Sequence, residues 1–256
     1  MSRFRVVQFN MQFGQRWDDA DPDGAPVDLD GTIAEIRRHE GDIVLLQEVE
    51  QAQPGGVQPE TPPNYARLRR ELPAYDGFFA FPKPDPRELP FGIGLAVLSR
   101  TPLTAPTRRD LPSPPIPFDF FGVEKTPTDR LLIGVQTQVA GRALQLFNTH
   151  PLAFFMLKSS SQDHGVQRAI IAEMLRQSKL PTVIGGDFNV SRHESLVAQF
   201  SQIGYATVQQ SAVTWRRRPY VLDHLFYNEH LRCVAYQVHP TPASDHHVLV
   251  ADFEFR

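Results

Sequence analysis

The chain has 256 residues, and its 26 Lys plus Arg against 29 Asp plus Glu leave a formal net charge of −3. That balance excludes a general electrostatic pull toward nucleic acid or an anionic membrane, and leaves only a local basic patch for such a role. The single cysteine, Cys233, excludes an intrachain disulfide and a thiolate metal site, so any metal is expected on oxygen and imidazole.

Cys233 itself reads as core. The sequence opens on a strand pattern and contains no long apolar run, so we expect neither a signal peptide nor a membrane span, and take the cytoplasm as the default compartment. No protein partner is evident. The polar clusters described below are spread along nearly the whole length, so one domain is expected over residues 1–256.

In chain order, Arg5 to Asn10 reads as a first strand, followed by a solvated loop rich in Asp, Pro and Gly from Gln15 to Asp28. A helix follows: Asp30 is its expected cap, Ile33 and Ile36 its apolar stripe, and Gly41 its end. Ile43 to Leu46 is a continuous apolar run, the pattern of a strand covered on both faces, and Glu48 emerges at its carboxyl end. A proline-rich loop precedes a short helix over Asn64 to Leu72, and strands are expected over Tyr75 to Phe81 and Ile93 to Leu98.

Thr101 to Asp129 is read as the least regular stretch, a proline-rich loop carrying the cluster Ile116-Pro117-Phe118-Asp119-Phe120-Phe121. A loop of that length is usually functional or disordered. Leu131 to Val139 and Ala143 to Phe147 flank Ala140-Gly141-Arg142 as a hairpin. Ser159 to Ser161 is expected to cap a helix reaching Ser178, Leu180-Pro181 stops it, and Thr182 to Ile184 is a short β-branched strand. Ser191-x-x-Glu194 has the form of a capping box for a helix to about Ile203, and Val221 to Tyr227, Leu231 to Val238 and Val248 to Phe255 complete the strands. Alternating strand and helix signals with at least one hairpin imply an α/β fold with mixed sheets.

The informative feature is where the polar residues fall. Strand-like runs end in Asn10, in Gln47-Glu48, in Asn148-Thr149-His150, in Gly186-Asp187-Phe188-Asn189 and in Asp223-His224, while Ser244-Asp245-His246-His247 opens the last strand. A spacing of two in extended chain would place Asp187 and Asn189 on the same side. A lone Asp-x-Asn is more often an Asx turn at a strand end, but six such clusters are hard to explain as turns. They point to one convergent site.

The six clusters, in this order, resemble the endonuclease/exonuclease/phosphatase superfamily of metal-dependent phosphoesterases. The resemblance implies a four-layer α-β-β-α sandwich, in which two packed mixed β-sheets carry helices on their outer faces. It also implies a Mg²⁺ or Mn²⁺ cofactor and a phosphodiester substrate, whether a small molecule, a lipid headgroup or nucleic acid. Glu48 is the first expected ligand, with Asp187, Asp245 and Asn10 beside it, since a hard cation takes carboxylate and carbonyl oxygen.

On the same resemblance His246 is the catalytic imidazole and Asp223 the carboxylate that fixes its tautomer. His150 donates to a phosphate oxygen, Asn189 orients water or phosphate, and Asp187 is a second candidate for the base. His224 and His247 are expected to face away, and Arg216-Arg217-Arg218 reads first as a solvated loop. Trp215 and Tyr220 carry no signal above surface or core. Two alternatives stand beside the phosphodiesterase: a DNA or RNA endonuclease or exonuclease, and a catalytically inactive metal- or protein-binding module on the same fold.

Overall fold

The computed structural model describes residues 3–256. In chain order its elements are β1 (Arg3–Asn10), α1 (Leu29–Arg38), β2 (Ile43–Gln51), α2 (Pro63–Glu71), β3 (Asp76–Ala80), β4 (Gly92–Ser99), β5 (Thr104–Leu111), β6 (Phe118–Phe120) and β7 (Val123–Lys125). They continue with β8 (Arg130–Val139), β9 (Arg142–His150), α3 (Val166–Gln177), β10 (Thr182–Asp187), α4 (Glu194–Ser201), β11 (Tyr205–Thr207), β12 (Asp223–Asn228), β13 (Leu231–His239) and β14 (Val248–Phe255).

Two six-stranded mixed sheets, ordered β13-β14-β1-β2-β4-β3 and β11-β12-β10-β9-β8-β5, pack face to face. Their central strands pair in parallel, β1 with β2 and β9 with β10, and all other pairs are antiparallel. Period-two alternation explains the layering. Val6 and Leu45 point inward to meet Leu146 and Val183 of the other sheet, while their neighbours Val7 and Val44 point outward to Ile33, Ile36 and Leu68 of α1 and α2. On the far side Ile184 and Phe226 meet Ile171 and Leu175 of α3 and Leu196 and Phe200 of α4. The α/β sandwich expected from the sequence is the fold observed. No helix among the described residues is long and apolar enough to cross a membrane.

Several local readings differ. Asp28, two residues earlier than expected, caps α1 by accepting from Gly31 N at 3.0 Å, because its non-helical backbone lets the carboxylate turn back over the first turn. Neither expected cap operates downstream: α3 begins only at Val166, and α4 follows His193, both without a side-chain cap. Ser160 instead bonds Asp163, while Ser195 and Ser161 are drawn to the buried Arg168. The stretch read as irregular between Thr101 and Asp129 contains the edge strand β5 and the small hairpin β6–β7. Pro106 hid β5, because proline is tolerated only where a strand leaves its N–H unpaired. Cys233 is only partly buried, on the edge strand β13.

Candidate functional site

At one end of the sandwich the inward-facing residues change character. Continuing Val6 along β1 come Gln8 and Asn10; continuing Leu45 along β2 comes Gln47; Asn148 follows Leu146 on β9, Asp187 ends β10 and Asp223 begins β12. These groups bridge the sheets in pairs. Gln8 Nε2 donates to Asp223 Oδ1 at 2.6 Å, Gln47 Nε2 to Asn148 Oδ1 at 2.7 Å, and Asn10 Nδ2 to Asp187 Oδ2 at 3.1 Å. All six side chains are buried, so each amide is fixed by the partner it cannot exchange for water.

Above this floor the expected site residues converge. Asn10 Nδ2 also donates to Glu48 Oε1 at 2.9 Å, so one amide ties the two carboxylates together. His150 Nε2 stands 3.7 Å from Glu48 Oε1 and 3.6 Å from Asp187 Oδ2, and His246 Nε2 lies 3.5 Å from that same Asp187 oxygen. The other nitrogen of His246, Nδ1, is 2.7 Å from Asp223 Oδ2. With Gln8 this makes a chain from β1 through Asp223 to the imidazole.

Backbone strain aims two of these groups. Glu48 has φ +51 at a bulge where β2 loses register with β4 between Gln47 and Glu50, so the strand does not end at Glu48 but bends there and runs on to Gln51. Left-handed backbone is uncommon outside glycine, and a bulge re-aims the side chain it carries. Gly92 on β4 makes room for it, since a Cβ there would fall 2.1 Å from Glu48 Oε2. Asn189 has φ +53, so it does not follow Asp187 by strand alternation. An Asx turn joins them, with Asn189 N donating to Asp187 Oδ1 at 2.9 Å and its side chain to Pro151 O at 3.1 Å.

Asp245 sits beside the cluster, with its Oδ2 held by Trp215 Nε1 at 3.0 Å and Arg217 Nε at 2.9 Å. Arg217, read as part of a solvated run, is therefore tied down, and it also bridges to Asp23 at 2.8 Å. Trp215, Arg217 and Gln8 are site residues that sequence reading missed. Gln8 had a signal, its place two before Asn10 on one strand face; the other two had none. As expected, His224 points away, packing against Phe188 and Phe226, and burial pushes its pKa down to about 3.

Electrostatics follow from crowding in a dry place. Burial, with Asp245 nearby, raises Glu48 to about 7, and burial also raises Asp187. Burial lowers His150 to about 3, with Arg130 and His246 adding to the effect, so its imidazole is neutral. Burial also opposes protonation of His246, but the Asp223 and Asp187 carboxylates override it and lift its pKa well above the usual range.

Ligand atoms of Glu48, His150 and Asp187 all lie within 4.8 Å of one another. Two carboxylates whose charges are penalised together, sharing one amide donor, suit a divalent cation taken through hard oxygen. The residues present fit a divalent cation.

Residues 7–246 match the model of the Endonuclease/Exonuclease/phosphatase family. The chain belongs to that family. Solved structures of endonuclease/exonuclease/phosphatase proteins share its fold: the protein from Beutenbergia cavernae is 23% identical with a TM-score of 0.73, over 100% of this chain and 72% of that one. The human Nocturnin catalytic domain with bound sulfate is 18% identical with a TM-score of 0.61, covering 100% and 94% of the two chains. D. rerio TDP2 complexed with single strand DNA product is 17% identical with a TM-score of 0.66, covering 99% and 100%. No curated protein matches the sequence.

Proposed function

We propose that this endonuclease/exonuclease/phosphatase protein is a Mg²⁺- or Mn²⁺-dependent phosphodiesterase that cleaves its ester by attack of water. The observation that carries the reading is the surroundings of Asp187 Oδ2, which has the Asn10 amide at 3.1 Å, His246 Nε2 at 3.5 Å and His150 Nε2 at 3.6 Å. A carboxylate oxygen ringed by two imidazoles and an amide is arranged to hold and pass a proton.

Glu48 and Asp187 would hold the cation, with Asn10 and Asp245 alongside. When bound, it supplies polarisation of the phosphoryl oxygen and stabilisation of the leaving group. The remaining work belongs to side chains. Asp187, raised by burial, accepts the proton of the attacking water. His246, kept protonated by Asp223 and Asp187, donates to a phosphate oxygen as charge builds there. His150, neutral, offers a second donor, and Asn189, fixed by its own turn, orients the water or the phosphate. Asp223, fixed by Gln8, holds the imidazole of His246 in one tautomer.

A nucleic acid ester is the second reading, favoured by the likeness to TDP2 solved with a single strand DNA product. The inactive-module alternative is disfavoured because every proposed proton-handling group is present and in reach of another. The test is hydrolysis of bis(p-nitrophenyl) phosphate: it should vanish with EDTA and return with Mg²⁺ or Mn²⁺. Turnover indifferent to chelation would overturn the metal assignment.

A further inference from the structure

The hairpin β6–β7 is built against its own stability. Phe120 pairs with Val123, which leaves Phe121-Gly122 as a two-residue turn with φ +50 and +81. Turns with both central residues at positive φ favour Asn-Gly or Asp-Gly, and a bulky residue there is an outlier. An isolated two-stranded hairpin is marginal to begin with. The sequence nevertheless places a phenylalanine at this tip, and the residue is 92% exposed. Strain kept at a tip in order to present a large apolar ring points to something that the ring enters.

The surroundings narrow what that is. Phe121 lies 4.8 Å from Phe120, and Phe120 lies 6.0 Å from Phe91, ring centre to ring centre. Val123 and Phe91, each 56% exposed, extend the apolar tip. Phe91 precedes Gly92, the residue in contact with Glu48, so this ladder ends at the mouth of the site. Asp119 and Glu124 stand directly opposite each other across the hairpin. Like charges so placed disfavour a polyanion on that side. The tip is also far too small for a stable protein interface, which needs roughly 800 Å² per partner. A few exposed aromatic side chains do suffice to enter the headgroup region of a bilayer.

We propose that the β6–β7 tip is a docking element for a zwitterionic lipid surface, inserting Phe121 and Val123 and bringing the mouth of the Glu48 site to the membrane. Lys125, drawn over the Phe120 ring at 5.7 Å, is the one cation of the hairpin and contributes little pull toward anionic lipid. The claim stands apart from the phosphodiesterase reading, since vesicle binding is measured without turnover.

The experiment is co-sedimentation of the full chain with phosphatidylcholine vesicles, and with equimolar phosphatidylcholine/phosphatidylserine vesicles. Phe121→Asn is the informative variant, because asparagine suits the turn and should leave the thermal midpoint the same or higher. The wild type should bind phosphatidylcholine vesicles and gain nothing from phosphatidylserine. Phe121→Asn should bind at least about tenfold more weakly, as expected from withdrawing one buried aromatic ring. Its hydrolysis of bis(p-nitrophenyl) phosphate should stay within about twofold of wild type, on the scale where tenfold marks one substantial contact. The proposal is overturned if the wild type ignores phosphatidylcholine vesicles, if it binds only when phosphatidylserine is present, or if Phe121→Asn binds as the wild type does. It is also overturned if the variant instead loses affinity for a single-stranded oligonucleotide, which would make the ring a base-stacking platform.

Discussion

The space between the two sheets has one end lined by Val6, Leu45, Leu146 and Val183 and another lined by Gln8, Asn10, Gln47, Asn148, Asp187 and Asp223, on the same strands. At the first end the residues are interchangeable contributors to burial, and the fold relies on their sum. At the second each group is held by specific hydrogen bonds, and removing a partner leaves a buried polar atom short of one. Gln8 Oε1 and Gln47 Oε1 already lack partners there. The contrast teaches that the fold concentrates its unfavourable burial where directed hydrogen bonds are needed, and recovers the stability further along the same strands.

The comparison breaks most visibly at the polar end. His246→Ala and Asp187→Ala should each slow hydrolysis of bis(p-nitrophenyl) phosphate by at least about 10²-fold, the scale of a lost proton-transfer group, with the fold intact by circular dichroism. Near-wild-type rates in both would remove the proposed roles. Leu146→Ala is the counterpart: it should cost about 2–5 kcal/mol in chemical denaturation while leaving kcat per folded molecule close to wild type. A large fall in kcat would mean that the two ends are not separable.

A finer cut is Gln8→Met, which keeps the shape and deletes the donor to Asp223. We expect kcat to fall by about tenfold with KM nearly unchanged, the size of one charge-assisted hydrogen bond acting through His246. A change in KM alone would place Gln8 with substrate binding instead.

The smallest expected effect is a pH dependence of stability. Glu48 has its folded pKa raised from 4.5 to about 7, so the folded state holds a proton that the unfolded state has released. Stability should therefore fall as pH rises from about 4.5 to about 7 in protein stripped of divalent cations. Glu48→Gln should reduce that slope, leaving the share of Asp187, whose pKa burial also raises; an unchanged slope would assign all of it to Asp187.

How much of this was legible in the sequence depends on range. Alternation is local, so the strands and the inward set of Asn10, Asp187 and Asp223 could be read from spacing together with the family resemblance. Bulges and turns are also local but are decided by contacts from afar. Glu48 at φ +51 depends on Gly92 leaving it room, and no residue near Glu48 announces that. Arg217 reads as solvated because its partners, Asp245 and Asp23, lie far along the chain on either side. Phe121 looked like one member of an aromatic cluster, and only the backbone of the turn separates it from its packed neighbour Phe120.

The placement of β1 between β14 and β2 has a consequence for biosynthesis. Of the strands described, β1 keeps one edge open until Val248–Phe255, far downstream, has been made, and Ser244 to His246 arrive only just before that strand. Ser244 Oγ then donates to Asn10 O at 2.8 Å, closing a loop of 234 residues. Such distant pairing is slow to form, so a nascent chain would carry Glu48 and Asp187 without the imidazole that completes them until that pairing is made, and competence would come with it.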